Sequence, residues 1–203
     1  MHQNDEYSFA KFSSLPFYRQ INERLLDIAD VGKQNRIIDL GCGNGGVTKL
    51  ILQRLQTAKE SVIYAVDHSA SALKEAVNEL GDCTDSIVKF VQSEVQNLTS
   101  AINVDVDMVV YCNSIHYVDD KIALLRKIRK RLKPGGVLAI NTSFFDGSHP
   151  QETEDFYRRW MMRSLRILKK EHGLSPKAKD KVEARKHLSQ MDYERVFNES
   201  GFD

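Results

Sequence analysis

Ile37-Ile38-Asp39-Leu40-Gly41-Cys42-Gly43-Asn44-Gly45-Gly46 is the stretch on which the fold turns. A short apolar run ends in a carboxylate and enters a glycine-rich turn. VTKLILQRL then follows with apolar residues at helical spacing. Glycines in such a turn let the chain bend tightly and let a ligand approach the main chain closely. Two patterns overlay here. Gly41, Gly43 and Gly46 satisfy GxGxxG, the dinucleotide fingerprint, and Asp67 lies 21 residues beyond Gly46, where a ribose-binding acid belongs. Gly41, Gly43 and Gly45 make the tighter GxGxG. Asp39 favours the second pattern. A carboxylate at this helix N-terminus would repel a pyrophosphate and attract a ligand carrying an ammonium and a sulfonium.

Working outward, short Val- and Ile-rich runs predict strands over Arg36–Leu40, Val62–Val66, Ile87–Val91, Asp107–Cys112 and Val137–Thr142. IIDL and MVVYC are apolar almost throughout, as in strands covered on both faces. Helical patterns separate them. Pro16 opens LPFYRQINERLLDIA, Ser69 caps ASALKEAVNEL before Gly81, and DKIALLRKIRKRL precedes a Pro134-Gly135-Gly136 stop. Strands alternating with helices imply βαβ units and a parallel sheet.

The pattern changes after Ser143. TEDFYRRWMMRSLRILKKEHG reads as one long amphipathic helix ending at Gly173, and Ser175-Pro176 opens a short basic helix. Ser189 and Asp192 resemble a capping box for QMDYERVFNES. The expected fold is α/β, with three layers, a mostly parallel sheet carrying helices on both faces, and a helical cap inserted after strand five. Residues 1–145 form an N-terminal lid helix and a cofactor-binding core, 146–188 the cap over an acceptor pocket, and 189–203 a final core helix. No strand pattern follows Gly201-Phe202-Asp203, so the terminal strands are expected to be absent and the chain truncated before them.

Composition narrows the class. The chain has 203 residues, 41% hydrophobic and 28% charged, with a net charge of +1. That is ordinary for a globular protein and argues against a general nucleic-acid binder. Gln151 to Gln190 is nonetheless basic, with 11 Lys and Arg against 6 Asp and Glu. Its bland explanation is a solvated helix face; the alternative is an acidic substrate or partner. No run of apolar residues is long enough to span a membrane, and the polar, mixed-charge N-terminus does not read as a signal peptide. Cys42, Cys83 and Cys112 show no metal-ligand spacing and read as small buried hydrophobes. The expectations are a cytoplasmic protein with no metal, no membrane and no nucleic-acid partner.

Together, DLGCGNG, YAVDHS, VDMVVYCNSIHYVDD and LKPGG resemble, in order and spacing, the class I S-adenosylmethionine-dependent methyltransferases of the small-molecule type, over residues 15–145 and the final helix. The resemblance implies a Rossmann-like methyltransferase fold and S-adenosyl-L-methionine as cofactor. It implies that Asp39 lies near the methionine amino group, through water, and that Gly41, Cys42, Gly43, Asn44 and Gly45 line the methionine and ribose portion. Asp67 would accept hydrogen bonds from the ribose hydroxyls, His68 would flank the adenine, and Asn113 would sit beside the methionine end. The family often has Asp after strand three. Here Ser93 takes that position and Glu94 follows, which leaves the adenine contact open.

The implied reaction is an in-line displacement from the sulfonium onto a small-molecule acceptor, in which positioning supplies much of the rate. His116, just past strand four, is the candidate base; a packing role is the alternative. His149 is a weaker candidate. Tyr7, Tyr18, Tyr117, Tyr157 and Trp160 are the candidate acceptor-pocket residues. Phe17 and Tyr18 equally suit packing of the first helix on the sheet. Phe156, Tyr157, Trp160, Met161 and Met162 suit an apolar or carrier-bound acceptor, or else form the cap's own core. The alternatives to a methyltransferase are an NAD(P)-dependent oxidoreductase and a non-catalytic scaffold that binds S-adenosylmethionine.

Overall fold

A computed structural model describes residues 15–55, 61–80, 87–174 and 187–202. Tyr7, Phe9, Phe12, Gly81, Cys83 and the short helix opening at Ser175-Pro176 lie outside them. The sheet holds β1 (Arg36–Leu40), β2 (Val62–Asp67), β3 (Ile87–Gln92), β4 (Val106–Cys112) and β5 (Leu132–Asn141). Their order is β3-β2-β1-β4-β5, with every pairing parallel. The helices are α1 (Pro16–Ile28), α2 (Gly46–Arg54), α3 (Ala70–Leu80), α4 (Leu98–Ala101), α5 (Lys121–Arg131), α6 (Gln151–His172) and α7 (Gln190–Ser200).

The continuous apolar strands are buried because helices cover both faces of the sheet. On one face, Ile37, Ile63, Met108, Val110 and Ala139 pack with Leu26 of α1 and Val47, Leu50 and Ile51 of α2. The alternate residues Ile38, Val109 and Tyr111 point the other way and are as fully buried. The apolar side of α5, Leu124, Leu125 and Ile128, is buried too. Arg126 Nη2 on α5 donates to the Glu199 carbonyl of α7 at 3.1 Å.

The caps follow the sequence. Ser69 Oγ accepts from Ala72 N at 3.3 Å, and Asp120 accepts from Ala123 N at 2.9 Å. Asp192 Oδ2 accepts from Ser189 Oγ at 2.8 Å while Ser189 Oγ accepts from Asp192 N at 3.2 Å. Gly173 ends α6 in a left-handed conformation.

Two expectations are corrected. The fifth strand does not begin at Val137, because LKPGG belongs to it. Val106 pairs with Leu132 and Met108 with Val137, so Lys133 to Gly136 bulge out of the ladder. Of the two residues expected to pack α1 on the sheet, Tyr18 is buried and Phe17 is exposed.

The chain divides into two compact units, Met1–Thr142 with Val196–Asp203, and Ser143–Arg195. The second unit holds α6, which has no buried residue. Phe156, Tyr157, Trp160, Met161 and Met162 therefore do not form a core of the cap; each is more than half exposed. Among the described residues, no helix is long and apolar enough to cross a membrane.

Candidate functional site

Parallel strands bring their carboxyl ends to one edge. Asp39 stands near the end of β1 and Asp67 at the end of β2, Ser93 follows β3, and Asn113 follows β4. The strand order reverses between β1 and β4, which opens a crevice beside the loop after β1.

That loop is held from its neighbour strand. Gly41 N and Cys42 N both donate to the Val66 carbonyl, at 2.7 and 3.0 Å. Asp67 then clasps two loops at once. Its Oδ2 accepts from Gly43 N at 2.8 Å and its Oδ1 from Ser69 N at 2.9 Å. The glycine loop and the start of α3 are thus fixed by a single carboxylate. Charge-assisted bonds to backbone N–H groups are the strong kind.

Gly45 settles which glycine pattern applies. It has φ +85°, and a Cβ there would lie 2.8 Å from Leu80 Cδ1 and 3.1 Å from Ala76 Cβ of α3. Gly46 has no such need: among the described residues, a Cβ on it would meet only Asn44 Oδ1, at 3.8 Å. The third glycine of the dinucleotide fingerprint serves close packing, and here that role falls to Gly45. The tight GxGxG reading holds.

Asp39 lies behind the loop, 1% exposed. Its Oδ2 accepts from Thr48 Oγ1 of α2 at 2.6 Å. Burial pushes its carboxyl up from the usual range to about 7; the Thr48 bond works against that shift and the charge of Asp67 adds to it. The acid is therefore poised near neutrality, where a cation arriving beside it would draw it to the ionised form.

At the end of β4, Asn113 is 2% exposed and has φ +51°. Its N–H is shared between the Asn141 carbonyl at 3.0 Å and Asn141 Oδ1 at 3.1 Å. Asn141 Nδ2 in turn donates to Asn22 Oδ1 on α1 at 2.8 Å. This amide chain ties α1 to the ends of β4 and β5.

Residues 38–138 match the methyltransferase domain family. A carboxy-S-adenosyl-L-methionine synthase from Shewanella frigidimarina is 32% identical over 152 residues, 70% of this chain and 59% of that protein. The chain belongs to the class I S-adenosylmethionine-dependent methyltransferase family. A trans-aconitate 2-methyltransferase from Azoarcus is 32% identical over 105 residues, 51% of this chain and 37% of that methyltransferase. The structure of the plantazolicin methyltransferase BamL, solved with S-adenosylhomocysteine, shares the fold with a TM-score of 0.64 at 14% identity, over 95% of this chain and 65% of that one. The chain spans about three-fifths of the first of these curated relatives and less of the second. An NAD(P)-dependent oxidoreductase and a non-catalytic scaffold are not favoured by these methyltransferase relatives.

S-adenosyl-L-methionine is the family's cofactor, and the loop fits it on two observations. Gly43 has φ +54°, and among the described residues nothing lies within 4 Å of where a Cβ would stand, so its main chain faces open space there. Asp67 borders that space, with lone pairs to spare beyond the two N–H groups it holds.

The other sequence-predicted residues fall as follows. Cys42 is buried, and burial pushes its thiol up, as it does that of Cys112. Asn44 and Gly41 stand in the loop. His68 is exposed, its Nδ1 3.3 Å from Asp67 Oδ1. Ser93 N donates to the Asp67 carbonyl at 2.9 Å. Ser93 Oγ donates to the carbonyl of Glu94, whose side chain is exposed. His116 lies in a 3-10 turn, Ile115–Tyr117, with its Nδ1 3.3 Å from Thr142 Oγ1 of the segment after β5. His149 pairs with its neighbour Ser148 on the surface.

The proposed acceptor-pocket residues differ in burial. Tyr18 is buried, with its phenol hydrogen-bonded to Asn22, and burial pushes its pKa up. Tyr117 is exposed and tilts against the His116 ring. Tyr157 and Trp160 are exposed on α6, in contact with each other, and Tyr7 lies outside the described residues. Sequence reasoning missed Thr48, Asn22 and Asn141. A Thr inside a helical pattern carries no signal by itself, and two Asn 119 positions apart show nothing of their pairing.

Proposed function

We propose that the chain transfers the methyl group of S-adenosyl-L-methionine to a small-molecule acceptor. The observation that carries this reading is the Asp67 clasp, a carboxylate at the end of β2 that holds the backbone N–H groups of Gly43 in the glycine loop and of Ser69 before α3. When bound, the cofactor supplies a methyl on a sulfonium sulfur, which is a good leaving group.

The protein's part is mainly placement. Asp67 holds ribose hydroxyls with its remaining lone pairs, and His68, Ser93 and Glu94 border the adenine. Gly41, Cys42, Gly43, Asn44 and Gly45 offer main chain rather than side chain to the cofactor. Asp39, ionised, balances the positive charge of the methionine amino group, and Asn113 borders that end. His116 takes the acceptor's proton where the acceptor carries one at neutral pH, with Thr142 orienting its ring. Residues 1–145 act as lid and core, 146–188 as the cap that selects the acceptor, and 189–203 as the last core helix. The acceptor's setting is the cytoplasm.

The test is a screen of the purified chain with S-adenosyl-L-methionine and candidate acceptors, trans-aconitate first, because one relative is named for it. Mass spectrometry should find an acceptor heavier by one methyl, with S-adenosylhomocysteine formed in equal amount. The carboxy-S-adenosyl-L-methionine synthase relative favours a second reading, in which the cofactor itself is modified. A carboxylated cofactor with no methylated acceptor, formed when a carboxylic-acid donor is added to the mixture, would select it.

A further inference from the structure

We propose that α6 is a docking surface for an anionic lipid interface. This proposal is independent of the methyl-transfer reading. Helix α6 runs for 22 residues, Gln151–His172, without one buried residue. From Phe156 to Lys170 it carries six cations and no acid. At about 100° per residue, Phe156, Tyr157, Trp160, Met161, Ile167 and Leu168 fall on one side. Arg158, Arg159, Arg163, Arg166, Lys169 and Lys170 fall on the other, with the exposed Met162 among them. Each set spans roughly 140° of the helix circumference, and the two do not overlap.

All six apolar side chains stand at 39% exposure or more, led by Phe156 at 57%. A helix whose apolar side packed within its own unit would bury it. Of the cations, Arg158 alone has a carboxylate on this helix, Asp155 at 2.7 Å.

The charge pattern selects the occupant. Cations without intervening acids over 15 residues call for a field of anions. A protein partner must place fixed carboxylates opposite each cation. An anionic bilayer offers mobile headgroups that adapt to any spacing. Aromatic and aliphatic residues on one face with Lys and Arg on the other are the marks of a helix lying in the interface plane. The long Arg and Lys stems reach past the apolar edge to the headgroups. The helix lies on the surface and does not cross it, in keeping with its lack of a spanning apolar window.

Trp160 is the only Trp of the chain, so tryptophan emission, excited selectively, reports on this helix alone. The full chain is mixed with vesicles of phosphatidylcholine plus phosphatidylserine, and separately with phosphatidylcholine alone. Trp160 emission should move to shorter wavelength and the protein should co-sediment with the anionic vesicles only, less so at high salt. Each cation near such a surface contributes roughly fivefold to partitioning. Arg159→Gln with Arg163→Gln and Arg166→Gln should therefore weaken binding by about a hundredfold, with S-adenosylhomocysteine affinity unchanged as the check on folding. Phe156→Ser with Ile167→Ser should weaken it independently of salt.

Several results would overturn the proposal. One is no shift and no sedimentation with anionic vesicles at low salt. Another is Trp160 emission that is already short-wavelength and shielded from iodide in the free protein, which would mean the chain covers this face itself. An equal response to poly-glutamate would assign the cations to an acidic protein. A dimer that dissociates in the Phe156→Ser and Ile167→Ser variant would assign the face to a second copy.

Discussion

If Asp39 meets the ammonium end of the cofactor, binding should expel a proton from the protein. The Asp39 carboxyl sits near 7 in the free chain because burial outweighs the Thr48 bond. At pH 6 about nine in ten of these carboxyls hold a proton, and at pH 7 about half. A cation placed beside the carboxyl lowers that value, so the bound state holds the anion. Titration with S-adenosylhomocysteine should then release about 0.9 proton at pH 6, about 0.5 at pH 7 and about 0.1 at pH 8. The assay is calorimetry in buffers of different ionisation enthalpy, where the slope of observed heat against buffer enthalpy counts protons. Asp39→Asn subtracts every other titrating group, including the ligand's own. Below pH 7 the affinity of the unmodified chain should fall toward tenfold per pH unit, while that of the variant should stay flat. Identical slopes for the two proteins at pH 6 would refute the placement of Asp39 beside a cation.

The same shift bears on stability. The folded value is raised above the unfolded one, so the contribution is fully present at pH below about 4 and is lost as pH rises through about 7. Its upper bound is about 4 kcal/mol, from roughly three pH units at 1.36 kcal/mol each.

Asp67→Ala should weaken S-adenosylhomocysteine binding at least tenfold, about 1.4 kcal/mol, and should also speed amide exchange at Gly43 and Ser69, whose N–H groups lose their acceptor; an unchanged dissociation constant would remove the ribose role. Gly45→Ala should destabilise the fold by about 1–3 kcal/mol in urea unfolding, because the added methyl meets Leu80 and the backbone has φ +85°, whereas Gly46→Ala should be close to neutral; the opposite order would restore the dinucleotide pattern. His116→Ala should lower kcat with cofactor affinity intact, and equal turnover would return His116 to a packing role.

Much of the fold was legible because strand burial writes itself as unbroken Val and Ile runs, as in IIDL and MVVYC. β5 was less so. Pro134, Gly135 and Gly136 read as a stop, but a bulge carries them inside a paired strand, and a bulge depends on the partner strand. The choice between two overlapping glycine patterns could be argued from Asp39 by charge. It rests structurally on Ala76 and Leu80, some thirty residues away, which crowd Gly45. Asp39 and Asp67 were visible as acids at strand ends; the clasp that Asp67 makes was not, since its partners are backbone N–H groups. The amphipathic pattern of α6 predicted a helix correctly; of the two readings of its apolar face, only the cap's own core is overturned, because periodicity marks a face that is apolar without saying what meets it.

The central claim is that the loop after β1 receives S-adenosylmethionine and not a dinucleotide. Calorimetric titration of the purified chain with S-adenosylhomocysteine, with NADH in parallel, tests it most directly. The account predicts micromolar binding of S-adenosylhomocysteine and none of NADH. Binding of NADH with no heat from S-adenosylhomocysteine would contradict it.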